Sequence, residues 1–269
     1  MLEHKFELRF PSHQNAIDIF RDRWASNIEE VHPGVTSGPM PLFSADGRPS
    51  IAAQYLGLTP GSLRGMSVLE LGPLEGAHTY QLAKLGAENI LAIEANAEAF
   101  LKCLVVKEIL QTPRCRFLLG DCLKFLLEGN DTFDLIFCSG ILYHMENPFE
   151  LIKAISAHTD RVYLWTTYCN PDVSAALARL PKPVVCDGLE LTFYEQAYAD
   201  PEVGTFWGGN SPTSSWLSKE DIELCFRHFG YDLTVHVDEP GINGPCITAT
   251  GIRQASALRR GQCLLSTPA

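Results

Sequence analysis

Residues 66–76, Met-Ser-Val-Leu-Glu-Leu-Gly-Pro-Leu-Glu-Gly, restrict the possible folds of this chain more than any other stretch. Val68, Leu69 and Leu71 make a short apolar run that ends at Gly72, and Gly76 closes the segment. The pattern predicts a buried strand, a tight turn, and a helix beginning near Gly76 and running to about Leu85. Gly72 lets the backbone turn sharply, and Gly76 lets a ligand or a neighbouring strand approach where a Cβ would stand. The next apolar run, Asn89–Glu94, ends in an acid. Glycine turn, helix, strand and acid is the order in which an open α/β sheet holds an adenosine-containing ligand, the acid taking the ribose hydroxyls. The glycines taken alone fit a plain strand-to-helix turn equally well.

Position 74 narrows the ligand. A dinucleotide turn has a middle glycine so that a pyrophosphate can sit on bare N–H groups at a helix N-terminus, whereas this chain has Leu74. Glu70 and Glu75 flank the turn with negative charge, which suits a ligand carrying an ammonium and a sulfonium and opposes a diphosphate. Across the chain, 21 basic side chains face 32 acidic ones, a net charge of −11. That balance disfavours non-specific nucleic-acid binding, though a local basic patch would escape the sum. Candidate basic residues for such a patch (Arg48, Lys84, Arg161, Lys182, Arg227) are few and scattered.

With 46% apolar and 20% charged residues, the chain of 269 residues is expected to be globular, one large core with elaborations. No run has the length of a membrane-spanning helix, and the first residues lack an apolar leader core, so a cytoplasmic protein is expected. Nine cysteines are scattered, several within apolar patterns such as Phe133-Asp-Leu-Ile-Phe-Cys138. They read as reduced, buried thiols. No Cys-x2-Cys pair or His-rich set appears, so no metal site is expected.

In chain order, residues 15–23 with Ile17, Ile19 and Phe20 predict an amphipathic helix. Residues 32–65 are rich in Pro and Gly and predict loop, with a short helix over 50–56 started by Pro49. This lead-in, residues 1–63, either lies over a ligand site or simply packs. After the first two strands, a helix over residues 97–110, a strand over 114–119, a short helix, a strand over 132–138, a helix over 149–157 and the strand Arg161–Thr167 follow. Strands separated by helices predict parallel pairing. Residues 168–217 break the rhythm, with several prolines and the cluster Tyr194, Tyr198, Trp207, Asn210, Ser214 and Trp216. Ser218 with Asp221 starts a helix over 218–229. Two last strands, Tyr231 to Val237 and Cys246 to Gly251, lie too close in sequence to be anything but antiparallel. The tail, 252–269, is expected to be flexible.

These spaced motifs, Val68-Leu-Glu-Leu-Gly-Pro-Leu-Glu-Gly76, Ala92-Ile-Glu94, Leu119-Gly-Asp121 and Phe133-Asp-Leu-Ile-Phe-Cys-Ser-Gly140, resemble those of the class I S-adenosylmethionine-dependent methyltransferases over roughly residues 64–251. The segment Gly140-Ile-Leu-Tyr-His144 with Asn147-Pro148 is similar to one in the tRNA wobble-uridine carboxymethyltransferase group. The resemblance implies an α/β, Rossmann-like fold: a seven-stranded, mostly parallel sheet with an antiparallel last strand and helices on both faces. It implies S-adenosyl-L-methionine as cofactor. Glu70 would sit near the cofactor ammonium, with Gly72 and Gly76 forming the turn. Glu94, flanked by Asn96, would take the ribose, Asp121 and Cys122 the adenine, and Ser139 would supply backbone contacts near the methionine.

Tyr143 and His144 either close the loop after the fourth strand or touch the acceptor, His144 then serving as a general base with an ordinary pKa of ~6.5. Trp165, Tyr168, Trp207, Asn210 and Trp216 either shape an acceptor pocket or form the core of the inserted region, residues 168–217, which is expected to be a lid. The leading expectation is a methyltransferase acting on a small or medium-sized acceptor. The alternatives are a tRNA wobble-uridine modifying enzyme using a carboxylated cofactor, and a non-catalytic S-adenosylmethionine-binding protein. A nicotinamide oxidoreductase is disfavoured by Leu74 and the acidic turn.

Overall fold

A computed structural model describes residues 6–198, 209–241 and 243–254. After two short helices, α1 (His13–Ile17) and α2 (Arg48–Leu56), strands and helices alternate. They are β1 (Ser67–Leu71), α3 (Ala77–Lys84), β2 (Asn89–Glu94), α4 (Ala97–Leu110), β3 (Cys115–Leu119), α5 (Cys122–Glu128), β4 (Leu135–Ser139), α6 (Pro148–His158) and β5 (Arg161–Thr167). Then come α7 (Pro171–Ala176), β6 (Pro181–Cys186), β7 (Leu189–Ala197), β8 (Thr213–Trp216), α8 (Lys219–His228), β9 (Tyr231–Gly241) and β10 (Gly244–Arg253). Seven strands form one sheet in the order β3-β2-β1-β4-β5-β10-β9. Strand β1 pairs parallel with β2, β2 with β3, and β4 with β5, while β10 runs antiparallel to both β5 and β9. This is the sheet the resemblance implied. No helix among the described residues is long and apolar enough to cross a membrane.

The chain divides into two units, residues 1–122 and 123–269. In the first, β1 is buried from Val68 to Leu71, as a strand in a parallel sheet must be. Helix α4 starts where the Asn96 side chain accepts from the N–H groups of Glu98 and Ala99. The helix expected over residues 15–23 is earlier and shorter. Ser12 caps it, accepting from Asn15 N–H, and a single 3-10 turn, Asp18–Phe20, ends it. Its apolar side chains, with Trp24, Ile28, Val35 and Phe43, pack on Ala77 of α3 and on Val106 and Ile109 of α4. The packing face of the lead-in is therefore the helix layer of this unit.

In the second unit, β4 is buried throughout. Residues 168–217 depart from the expected irregular lid, for they contain α7 and a three-stranded antiparallel sheet in the order β6-β7-β8. Asp187 and Gly188 join β6 to β7 with φ of 47° and 83°, the pair of left-handed residues that matches the twist of a two-residue hairpin. Pro181 and Pro183 lie in β6, which has a partner on one side only, where a missing N–H costs no ladder bond. Strand β10 extends beyond the expected end at Gly251, since Arg253 still pairs with Tyr231 in β9. The rest of the tail, from residue 255, lies outside the described residues. All eight cysteines among the described residues are free thiols.

Candidate active site

The sequence-predicted cofactor residues of the first unit gather at the carboxyl ends of β1, β2 and β3. Gly72 and Gly76 both have positive φ, 65° and 82°, and between them Leu74 is also left-handed at 59°. The turn is held at three points. Gly72 N–H donates to Ile93 O at 2.9 Å, Gly76 N–H to Pro73 O at 2.9 Å, and Leu74 N–H to Glu94 Oε2 at 3.1 Å. Glu94 Oε1 accepts from Asn96 N–H at 2.8 Å, so this buried acid already clasps the turn and the start of α4. Each of its oxygens keeps a second lone pair. Burial raises the Glu94 pKa against those N–H bonds. The side-chain oxygen of Asn96 is occupied in capping α4. Asp121 and Cys122 are half-buried just past β3, and Gly120 N–H donates to Glu94 O at 2.9 Å, tying that corner to the ribose-type acid.

The two acids of the turn behave differently from the expectation of a negatively charged rim. Glu75 points inward and is fully buried. It accepts from Lys102 Nζ at 3.0 Å, from Ala25 N–H at 3.0 Å and from Ser26 N–H at 2.7 Å. Lys102 is itself fully buried, also reaches Glu98 Oε1 at 3.1 Å and Arg23 O, and lies over the Trp24 ring. Glu75 is thus neutralised and fastens the lead-in to the turn. Glu70 is buried too; Thr79 donates to its Oε2, and its Oε1 has no partner. Burial first, aided by the charge of Glu94 and opposed by Thr79, pushes its pKa up to about 8. The argument from an acidic turn against a diphosphate therefore weakens to Leu74 and Glu94. Glu70 Oε1 has no partner among the described residues, and once its proton is released the carboxylate, with Glu94, fits a ligand with an ammonium and ribose hydroxyls.

In the second unit, Ser139 ends β4 opposite Trp165 of β5, and Gly140, with φ of 80°, donates to Trp165 O at 2.9 Å. The chain then forms a 3-10 turn, Leu142–His144. Tyr143 packs edge-on to Trp165 and Trp216. His144 Nδ1 lies 2.6 Å from the Tyr198 hydroxyl. Burial lowers the His144 pKa to about 4, well below the ordinary value assumed from sequence. The loop is fixed by Ser215 N–H, which donates to Met145 O at 2.8 Å, and by Gly209, where a Cβ would stand 2.7 Å from His144 O. Sequence reasoning saw Tyr198 without its partner and passed over Arg179, which is buried with its guanidinium carbon 3.3 Å from the Trp216 ring centroid. Tyr168 does not join this cluster: its hydroxyl donates to Asp238 at 2.9 Å. Asn210 is exposed, and Trp207 lies outside the described residues.

A family model described as a methyltransferase domain matches residues 62–215. The chain is similar to the tRNA U34 carboxymethyltransferases of Campylobacter hominis, 26% identical over 41% of this chain and 39% of that protein, and of Hahella chejuensis, 28% identical over 60% and 47%. It therefore spans less than half the length of these curated relatives. Among solved structures it resembles the N-terminal domain of EvdMO1 with S-adenosylhomocysteine bound, at a TM-score of 0.69 and 24% identity, covering 90% of this chain and 95% of that one. The magnesium protoporphyrin IX methyltransferase of Synechocystis PCC 6803 aligns at a TM-score of 0.50 and 15% identity, over 72% and 77%. These two likenesses bear on the fold.

Proposed function

The chain belongs to the methyltransferase-domain family, as an S-adenosylmethionine-dependent enzyme, and from that premise we propose that it methylates a small or medium-sized acceptor at the His144–Tyr198 cluster. The observation that carries the cofactor half of this reading is the pair of acids at the turn. Glu70 has an unpartnered buried oxygen for the cofactor ammonium, and Glu94, already bonded to Leu74 and Asn96, keeps lone pairs for the ribose hydroxyls. Asp121 and Cys122 would flank the adenine, and Ser139 remains the expected backbone support of the methionine part. When bound, S-adenosylmethionine supplies a methyl group made electrophilic by its sulfonium sulfur.

The chain's own work is to bind, orient and exclude water. Methyl transfer of this kind gains chiefly from alignment of the reactants. His144 is neutral at physiological pH because burial disfavours its charged form. If Nδ1–H donates to Tyr198, Nε2 is an acceptor able to take a proton from the acceptor group; if Tyr198 donates, Nε2–H becomes a donor that orients it. A pKa of about 4 makes His144 a weak base, so the acceptor atom must be nucleophilic without strong deprotonation. The three-stranded sheet, with Trp216 in β8 and Tyr198 just past β7, takes the place of the irregular lid, and we assign it the acceptor-covering role.

Calorimetry with S-adenosylhomocysteine and NAD tests the cofactor: NAD binding more tightly would sink the assignment. Asp121→Ala is expected to weaken S-adenosylhomocysteine by about 1–3 kcal/mol. Turnover assays with a panel of small hydroxyl, amine and carboxylate acceptors, run beside bulk tRNA, test the acceptor. Methylation or carboxymethylation of tRNA alone would replace the small-acceptor reading with that suggested by the names of the curated relatives.

A further inference from the structure

Three buried residues of the second unit, packed together on the small sheet, each keep one polar atom without a partner. Arg179, 7% exposed, donates from Nη2 to Gln196 Oε1 at 2.7 Å, while its Nη1 has no partner. Its guanidinium stacks on Trp216, whose Nε1 is buried and unpartnered as well. Ser214 Oγ is the third; it lies near the Tyr198 hydroxyl without meeting hydrogen-bond geometry. Strand alternation puts Ser214 and Trp216 on one face of β8, and Gln196 of β7 pairs with Ser214. Among the described residues no carboxylate forms an ion pair with Arg179. The neighbouring Cys169 thiol is kept neutral by burial, which pushes its pKa up, so it is no counter-ion.

A guanidinium, an indole N–H and a hydroxyl offer five, one and one hydrogens, respectively, and the first two groups accept none. What completes such a set is an anion with several lone pairs. A planar carboxylate suits the guanidinium fork better than a point charge would. Tyr143 and His144, half-buried and packed on or bonded to Trp216 and Tyr198, form the less buried side of the same cluster. We propose that the acceptor carries a carboxylate, which docks on Arg179 with Ser214 and Trp216 while its reacting atom faces His144. This inference rests on the methyltransferase reading and deepens it to a substrate class. Arg179 is then a specificity residue. Loss of its partner would weaken acceptor binding and leave cofactor binding alone.

The test uses the full chain saturated with S-adenosylhomocysteine and titrates it with benzoate, with benzamide as the uncharged control. Wild type should bind benzoate at least tenfold more tightly than benzamide. Arg179→Met should abolish that difference, and Ser214→Ala, which keeps the arginine, should reduce it severalfold. Both variants should bind S-adenosylhomocysteine as wild type does. Equal affinity for benzoate and benzamide in wild type overturns the proposal, as does undiminished preference in both variants. It is also overturned if Arg179→Met weakens a carboxylated S-adenosylmethionine selectively, because the carboxylate then belongs to the cofactor. Should Arg179→Met fail to fold, Ser214→Ala alone decides: an unchanged benzoate preference in that variant rejects the site. Failure of wild type to bind S-adenosylhomocysteine would instead reject the methyltransferase reading.

Discussion

Glu75 in the first unit and Arg179 in the second are both charged and buried, yet their surroundings differ in one respect. Around Glu75 every partner is supplied from within: each carboxylate oxygen accepts from a backbone N–H, and the three Lys102 hydrogens go to Glu75, Glu98 and Arg23 O. Among the described residues Arg179 donates to Gln196, and Nη1, Trp216 Nε1 and Ser214 Oγ are left open. A saturated buried ion network fixes one geometry; an unsaturated one is costly unless something else completes it. The comparison separates a charged residue that builds the scaffold from one that waits for a ligand. Glu70 in β1 and Glu75 in the turn that follows it, five positions apart, repeat the contrast within a single segment.

The largest expected effect tests that separation directly. Lys102→Met strands Glu75 and should lower the unfolding free energy by about 3–5 kcal/mol in chemical denaturation. Arg179→Met removes a charge that has no ionic partner and should cost no more than about 1 kcal/mol. Equal losses in the two variants would break the comparison.

Next in size is His144. His144→Ala should slow turnover about 10²-fold while S-adenosylhomocysteine affinity stays within about 0.5 kcal/mol of wild type. Because burial sets its pKa to about 4, the pH profile of kcat/KM should show no inflection at the ordinary histidine value from this residue. The same shift bears on stability. A histidine with a depressed folded pKa contributes stability that is present above 6.5 and lost as pH falls toward about 4. An inflection near 6.5 that disappears in His144→Ala would show that the imidazole is solvated and the buried cluster loose.

Glu70 should give a pH effect of opposite sign. Its folded pKa, about 8, lies above the ordinary 4.5, so the unfolded chain loses its proton first. Its stabilising contribution is full below pH 4.5 and declines as pH rises to about 8. Glu70→Gln should flatten that part of the stability profile. If the cofactor ammonium pairs with Glu70, S-adenosylhomocysteine binding at neutral pH should release a proton, measured as a dependence of calorimetric enthalpy on buffer ionisation. Binding without proton release would place the ammonium elsewhere.

What was legible in the sequence was local. The apolar run before Gly72, the acid closing β2 and the Ser218 cap each depend on neighbours a few residues away, and each appears where periodicity and capping chemistry put it. The Asp187-Gly188 hairpin was equally local, flanked by Val184-Val185 and the alternating Leu189, Leu191, Phe193, and was passed over because the nearby prolines suggested loop. The inward turn of Glu75 was not legible, since it depends on Ala25 and Ser26, about 50 residues earlier, and on Lys102. The same holds for the His144–Tyr198 bond, which spans 54 residues, and for Arg179, whose importance lies in partners it lacks. Nothing in the pattern around a residue announces an unmet hydrogen bond.

The smallest effect concerns Leu74, whose φ of 59° puts a branched side chain in the left-handed region between two glycines of the same sign. That conformation costs a non-glycine residue roughly 1–2 kcal/mol, and here it is held by the bond from Leu74 N–H to Glu94 and by Cys103 Sγ, 3.3 Å from Leu74 O. Comparing Leu74→Gly with wild type would mix relief of strain with loss of the half-buried side chain. Leu74→Gly and Leu74→Ala discard nearly the same atoms, so their difference isolates the backbone. At a position of negative φ, alanine is the more stable of the two by about 0.4–1 kcal/mol, because glycine leaves the unfolded chain freer. At position 74 the order should reverse, glycine exceeding alanine by about 1 kcal/mol in denaturant titrations. Both variants should keep the Glu94 clasp and bind S-adenosylhomocysteine alike, since the clasp uses the backbone N–H. An alanine variant more stable than the glycine one would mean that residue 74 is not left-handed in solution. The saturated, strained turn would then give way to a relaxed one, with Glu94 released from Leu74.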